Sequence, residues 1–275
     1  VRLDSHHHFW RYDAAEFGWI DAPMAAIRRD FLPDDLRVVA AGAGVDGAIT
    51  VQARQSLAET EWLLELAAGD EFIRGVVGWV DLRSPMLSGQ LERFAAEPKF
   101  RGVRHVVQGE PDEAFILGEA FNRGVAQLRA HRLVYDILIF ARHLPNTLRF
   151  VDRHPDQVFV VDHLAKPDIR GGGFGFWREQ LRELARRPNV FCKASGLVTE
   201  ADYHTWTEAQ LRPYFEAAVE AFGPRRLMAG SDWPVCLVAC DYVRWWCILE
   251  SWTASWSDAE RARFFGGTAH EAYSL

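Results

Sequence analysis

A parallel barrel of eight strand–helix units is the fold class this sequence predicts, and three observations predict it. Short β-branched apolar runs recur eight times along the 275 residues, and stretches with helical periodicity separate most of them. The runs are spaced by roughly 25–45 residues, room for one strand, one helix and two loops, and about 250 residues is the usual size of such a barrel. The Gly-rich phosphate turn that a doubly wound open sheet would ordinarily carry after an early strand is missing. No linker, charge block or repeat divides the chain, so residues 1–275 are expected to form a single domain.

Taken in order, Val1–Asp4 opens the series as a short apolar run ending in polar residues. An irregular segment from Trp10 to Asp46 follows, with Trp10, Tyr12, Trp19, Pro23 and Pro33 ahead of the helix-like Asp35–Ala41. On a barrel it lies over the strand ends as lid, pocket wall or packing. Gly47–Val51 is the second strand, and Ser56 with Glu59 has capping-box spacing for helix Leu57–Ala68. Strands Gly75–Val80, Gly102–Val107 and Leu133–Leu138 alternate with helices Leu87–Ala96, Phe115–Ala130 and Asn146–Arg153. After Val158–Val161, the Gly171-Gly172-Gly173 run reads as a flexible loop before helix Trp177–Arg187. Val190–Lys193 is the seventh strand, and Thr207 with Gln210 caps helix Ala209–Phe222. Leu227–Gly230 is the eighth, and a last capping box, Ser257 with Glu260, follows it.

Composition narrows the function classes. With 49% hydrophobic and 25% charged residues the chain is ordinary globular material, neither disordered nor collagen-like. A net charge of −7 argues against a polyanion partner, so no nucleic acid is expected. No apolar run reaches the ~20 residues of a membrane span, and the first residues lack an apolar leader; a cytoplasmic protein without membrane contact is expected. Cys192, Cys236, Cys240 and Cys247 form no Cys-x-x-Cys pair and read as buried reduced thiols. Trp245, Trp252 and Trp256 share a helical face if their helix is continuous, which suits core packing or, second, a dimer contact; monomer and homodimer stay open.

In parallel barrels chemistry sits where the strands run out into loops. Here the runs end in His6-His7-His8, Gln52, Asp81, Arg104-His105 with Gln108, Asp136, Asp162-His163, Lys193 with Ser195, and Ser231-Asp232. His6 and His8 fall on one face of a strand, about 6.5–7 Å apart along the chain, a spacing that suits two ligands of one metal or an imidazole cage for a carbonyl oxygen. His7 points the other way and reads as structural. Asp232, between a buried run and Trp233-Pro234, is a partly desolvated carboxylate: a general base with a raised pKa, a metal ligand, or a helix N-cap. Of three lysines, Lys99 reads as solvated, whereas Lys166 and Lys193 suit substrate contact and structural pairing equally.

These residues carry a resemblance. Asp4-Ser5-His6-His7-His8-Phe9-Trp10, Gly78-Trp79-Val80-Asp81-Leu82, Gly102-Val103-Arg104-His105, Asp162-His163-Leu164-Ala165-Lys166-Pro167 and Gly230-Ser231-Asp232-Trp233-Pro234 together resemble the amidohydrolase-related TIM-barrel family. More narrowly they are similar to its sugar lactonase branch, with Cys192 to Asp202 closest to the fuconolactonase type. The resemblance implies hydrolysis of a sugar-acid lactone, with Asp232, His163, His6 and His8 as catalytic residues. Asp232 would shuttle the proton of the attacking water, and the imidazoles or a metal they hold would stabilise the oxyanion. Strands four and five lack the lysine and histidine of the family's binuclear members, which leaves one divalent metal, Zn²⁺ or Mn²⁺ on His6, His8 and Asp232, or none; no organic cofactor is implied. By strand-end position, Arg104, His105, Gln52, Gln108, Asp136 and Lys193 are candidate hydrogen-bonding groups for substrate, with Trp10 and Trp79 as an aromatic wall. The rival readings are a metal-dependent decarboxylase of the same superfamily, which Asp136 in place of a strand-five histidine disfavours, and a sugar-acid binding barrel without turnover.

Overall fold

In the computed structural model, which describes residues 1–275, eight parallel strands pair in chain order: β1 (Leu3–His7), β2 (Gly47–Val51), β3 (Ile73–Gly78), β4 (Phe100–His105), β5 (Val134–Ile137), β6 (Phe159–Val161), β7 (Val190–Ala194) and β8 (Leu227–Ala229). The sheet turns back on itself where β8 runs out. Asp232 N–H donates to His6 O at 2.8 Å and His8 N–H to Trp233 O at 2.7 Å. The Asp4 carboxylate clasps the same seam, accepting from Ser231 N–H at 2.9 Å and Tyr242 O–H at 3.1 Å. Burial lifts the pKa of Asp4 to about 6 against these bonds.

Around the strands lie α1 (Pro33–Gly42), α2 (Leu57–Ala68), α3 (Leu87–Ala95), α4 (Glu119–Leu128), α5 (Leu144–Asp152), α6 (Phe174–Leu184), α7 (Leu197–Glu200) and α8 (Glu208–Phe222). Then come α9 (Tyr242–Trp252), α10 (Asp258–Ala262) and α11 (Thr268–Tyr273). Ser56 and Thr207 cap α2 and α8 from their side chains, and Ser257 with Glu260 forms a full capping box on α10.

The larger apolar core fills the space between strands and helices. A smaller cluster inside the barrel contains Ile49, Val51, Val77, Val134, Val160, Phe191 and Met228. Two residues onward on the same faces stand Asp136 after Val134, Asp162 after Val160 and Lys193 after Phe191. The lumen is therefore apolar low down and charged toward the strand ends. α11 plugs the lower end and sends the Tyr273 hydroxyl up to Asp136 at 2.9 Å.

Several local expectations are corrected. β1 continues through His6 and His7 instead of stopping at Asp4, with His8 directly after it and a register shift between Asp4 and His7. Phe115–Ala130 splits at Gly118 into a short turn and α4. Gly171–Gly173 leads straight into α6, three residues before the expected start, with Gly171 N–H held by Asp168 at 2.6 Å. α9 ends at Trp252, so Trp256 lies off that helix; Trp245 and Trp252 are buried within the chain, and Trp245 Nε1–H donates to Gly230 O at 2.8 Å. Cys247 is exposed, unlike the other three thiols. Lys99 is not merely solvated: its ammonium donates to Ala67 O in the last turn of α2 and to Asp70 O just beyond it, at 2.8 and 3.0 Å. No helix is long and apolar enough to cross a membrane.

Candidate active site

Closing the barrel assembles the site. Because β8 runs beside the end of β1, the Asp232 carboxylate arrives among three buried imidazoles. Its Oδ1 lies 3.4 Å from His8 Nε2, 3.7 Å from His163 Nε2 and 3.8 Å from His6 Nε2. Each ring is held from behind. His8 Nδ1–H donates to Val51 O at 2.8 Å, which turns Nε2 toward Asp232 and the cavity. His163 Nδ1 bonds Ser195 Oγ at 2.8 Å, and His6 Nδ1 has Asp162 Oδ1 at 3.2 Å and Lys193 Nζ at 3.1 Å. His7 faces away, bonded to Thr50 Oγ1 at 2.9 Å, as its place in the strand predicts.

Electrostatics sets the protonation states. Burial lowers the pKa of His6 and takes that of His163 down to about 4, so both rings are neutral near pH 7. Asp232 corrects an expectation. Burial alone would raise its pKa, but His163, His8 and Lys166 outweigh burial and hold it below the ordinary carboxylate range. It is an ionised acceptor.

Beneath the imidazoles runs a line of buried charge. Lys193 Nζ donates to Asp136 at 2.6 Å and sits 2.9 Å from Asp162 Oδ1. Arg104 donates to Asp162 Oδ2 at 3.0 Å and to Gln52 O, and its Nη1 lies 3.3 Å from His6 Nε2. Asp162, which stands directly before His163 in the sequence, is thus the hinge of the network, a role its neighbour's prominence hid.

Above the imidazoles opens a cavity of about 700 Å³. His8, His163, Asp232 and Arg104 form its floor; Gln108, Arg54, Gln55, Glu16, Lys166, Glu200, Thr199 and Tyr203 add polar lining above it. Trp19, Met24, Val235, Leu138 and Phe140 supply apolar wall. The long Trp10–Asp46 segment therefore both packs and walls: Trp10, Phe17 and Phe31 are core, while Glu16, Trp19 and Met24 face the cavity.

Of the other candidate substrate contacts, Arg104 and Gln108 reach the cavity. Asp136 and Lys193 are spent on each other below the floor, and Gln52 is buried with its amide on Arg104 O at 3.2 Å. His105 sits next to Arg104 on β4 and therefore faces the helices, stacked on Phe115 and bonded to Glu110 at 2.6 Å. Trp79 follows it there, donating to His105 Nδ1 at 3.4 Å. Trp10 is fully buried behind His8, its Nε1–H on Arg29 O at 2.9 Å. The cavity residues that the sequence does not mark, Glu16, Arg54, Tyr203 and Glu200 among them, lie on loops or, for Glu200, at the end of the single-turn α7, where no periodicity marks direction.

The turn that carries His163 is unusual. His163, Leu164, Ala165 and Lys166 all have positive φ, 52°, 54°, 59° and 45°, a left-handed turn of four non-glycine residues. Such a backbone costs about 1–2 kcal/mol per residue. It is held by burial of Leu164 and Ala165 and by the Trp177 Nε1–H bond to Leu164 O at 2.6 Å. Gly196, itself at φ 68°, leaves room for the His163 ring.

The donor set fits one divalent cation. His6 Nε2, His8 Nε2 and Asp232 Oδ1 are mutually 3.2, 3.4 and 3.8 Å apart. Ligands about 2.0–2.1 Å from a tetrahedral ion stand about 3.3 Å from one another, and the buried carboxylate beside His6 and the carbonyl beside His8 are the supports such ligands carry. A second grouping, His6, Asp162 and His163, is compromised because Asp162 already serves Lys193 and Arg104.

Comparison with known proteins agrees with this architecture. Residues 3–275 match the family described as amidohydrolase. The chain is 45% identical to an L-fucono-1,5-lactonase of Burkholderia multivorans, over 100% of this chain and 96% of that one. It is 39% identical to an L-fucono-1,5-lactonase of Burkholderia ambifaria, again over 100% and 96%. Among solved structures, an amidohydrolase from Burkholderia multivorans with bound zinc superposes with a TM-score of 0.96 at 46% identity, covering 100% of this chain and 99% of that one.

Proposed function

The chain belongs to the amidohydrolase family, and on that premise we propose that it hydrolyses a sugar-acid lactone, with L-fucono-1,5-lactone as the leading member, to the free acid. The observation that carries the reading is one carboxylate oxygen within 3.8 Å of three buried imidazole nitrogens, at the floor of a cavity of about 700 Å³ with both polar and aromatic lining.

Asp232 accepts a proton as the water oxygen bonds to the lactone carbonyl carbon. His163 Nε2 faces the cavity where the carbonyl oxygen would gain charge, with Arg104 adding fixed positive potential beside His6. Collapse of the tetrahedral adduct breaks the bond from C1 to the ring oxygen, and Asp232 returns its proton to that oxygen. His6, His8 and Asp232 would hold a divalent cation, which would supply Lewis-acid polarisation of the carbonyl. Asp136, locked to Lys193, offers no strand-five metal ligand, which weighs against the decarboxylase reading.

The test is proton release from a panel of aldonolactones, with wild type and Asp232→Asn side by side, before and after chelation. We expect turnover by wild type and a loss of about 10²–10⁴-fold in the variant, the range a positioned general base contributes. Survival after chelation would assign the chemistry to protein groups alone; loss reversed by Zn²⁺ or Mn²⁺ would make His6, His8 and Asp232 ligands. Metal-replete wild type that cleaves no lactone would remove the reading and promote decarboxylation.

A further inference from the structure

We propose that Lys166 and Glu200 form a polyol subsite that grips two neighbouring hydroxyls of the substrate ring, and that the left-handed turn exists to deliver Lys166 and His163 to one cavity together. The inference rests on the lactonase reading and adds the element that would choose among lactones.

Three observations carry it. First, the charges of the inner network are spent on protein partners: Lys193 on Asp136 and Asp162, Arg104 on Asp162 and the Gln52 carbonyl. Lys166 and Glu200 differ. They line the cavity from the turn after β6 and from α7, form an ion pair with each other at 3.6 Å, and neither side chain hydrogen-bonds to any other protein group. An ion pair whose members have no other partner leaves the remaining ammonium donors and carboxylate lone pairs free, and the side chains are only 17% and 16% exposed. A hydroxyl accepting from the ammonium, with its neighbour donating to the carboxylate, would satisfy both at once.

Second, the pair is aimed. The Lys166 ammonium sits 5.7 Å from the Phe140 ring centroid, so an aromatic face closes one side and leaves the cavity as the open direction. Third, the backbone that places Lys166 is costly. A right-handed continuation after β6 would avoid the four positive φ values, at about 1–2 kcal/mol each. Strain of this kind persists where position matters, and His163 and Lys166, the two ends of the turn, both emerge on the cavity.

The experiment compares wild type, Lys166→Met and Glu200→Gln on an aldono-1,5-lactone and on δ-valerolactone, the same ring without hydroxyls, with calorimetric binding of the matching aldonate as a readout free of turnover. Each substitution is expected to raise KM for the aldonolactone, and to weaken aldonate binding, by about 10–100-fold, the worth of a hydrogen bond to a charged group. The kcat/KM for δ-valerolactone should stay within about two- to threefold of wild type in Glu200→Gln, since losing a bond this substrate never makes costs it nothing; in Lys166→Met, which also removes a charge that helps keep Asp232 ionised, the loss on the aldonolactone should exceed the loss on δ-valerolactone by about 10–100-fold. Equal losses on both lactones would mean that the pair only supports the fold and would overturn the proposal. Unchanged KM and unchanged aldonate binding in both variants would overturn it as well. Wild type that binds the aldonate but cleaves no lactone, with binding lost in the variants, would keep the subsite and remove the lactonase reading. Wild type that neither binds nor cleaves would remove both.

Discussion

Gly196→Ala tests whether His163 acts from the position the fold gives it. An added Cβ would lie 2.6 Å from His163 Nδ1, 2.8 Å from Cγ and 2.9 Å from Cβ. Ordinary contact begins near 3.4 Å, so the ring must retreat by about 0.5–0.8 Å, and the 2.8 Å bond from Nδ1 to Ser195 Oγ has no slack to follow. The ring cannot relax by moving its backbone cheaply, because the left-handed turn is pinned by the buried Leu164 and by Trp177. A displacement of that order at a reacting group costs about 10–100-fold in rate. Alanine at φ 68° adds about 1–2 kcal/mol of strain, and the overpacking another 1–3, for a stability loss of about 2–5 kcal/mol. Steady-state kinetics on the preferred lactone at 25 °C, where the variant stays folded, should show the loss in kcat with KM within about threefold. Urea unfolding reads the stability. A variant with wild-type kcat would refute the reasoning, since it would show that His163 either yields freely or does no work at Nε2.

Two further predictions concern buried charge. Lys193→Met leaves Asp136 and Asp162 facing each other without their shared cation, and should cost about 3–5 kcal/mol in urea unfolding. Adding Asp136→Asn should recover part of that loss; a double variant as unstable as the single one would show that the network is not what Lys193 supports. Glu59 is buried under the loop after β2, and burial raises its pKa to about 7 against the bonds from Arg54 and Ala53. Since its folded pKa lies above its unfolded one, the neutral form is favoured in the fold, and stability falls as pH rises from about 4.5 through 7. Glu59→Gln should lack that term, so wild type should lose about 2 kcal/mol relative to the variant between pH 5 and 8 in denaturant titrations; parallel curves would count against a buried, raised carboxyl.

Much of the architecture is legible in the chain because it is set by local rules. The eight strands, the caps at Ser56, Thr207 and Ser257, and the seating of His6 and His8 on one face of β1 follow from periodicity and short-range hydrogen bonding. The same period separates Arg104, facing the lumen, from His105, facing the helices, yet the sequence alone presents them as equals at one strand end. Which of the two points inward depends on the phase of β4 against its neighbours, and phase is a property of the sheet. Likewise a register shift between Asp4 and His7, where β1 meets β2 on one side and Trp233 on the other, accompanies the turning of His6 and His8 inward and His7 outward. Tertiary structure alone decided that Lys193 serves Asp136 and Asp162 in the lumen, while Lys166 meets Glu200 above it. The reason is physical: a residue's type and spacing describe what it can do, but its partners come from strands and loops distant in the chain, and only closure of the barrel brings them within reach.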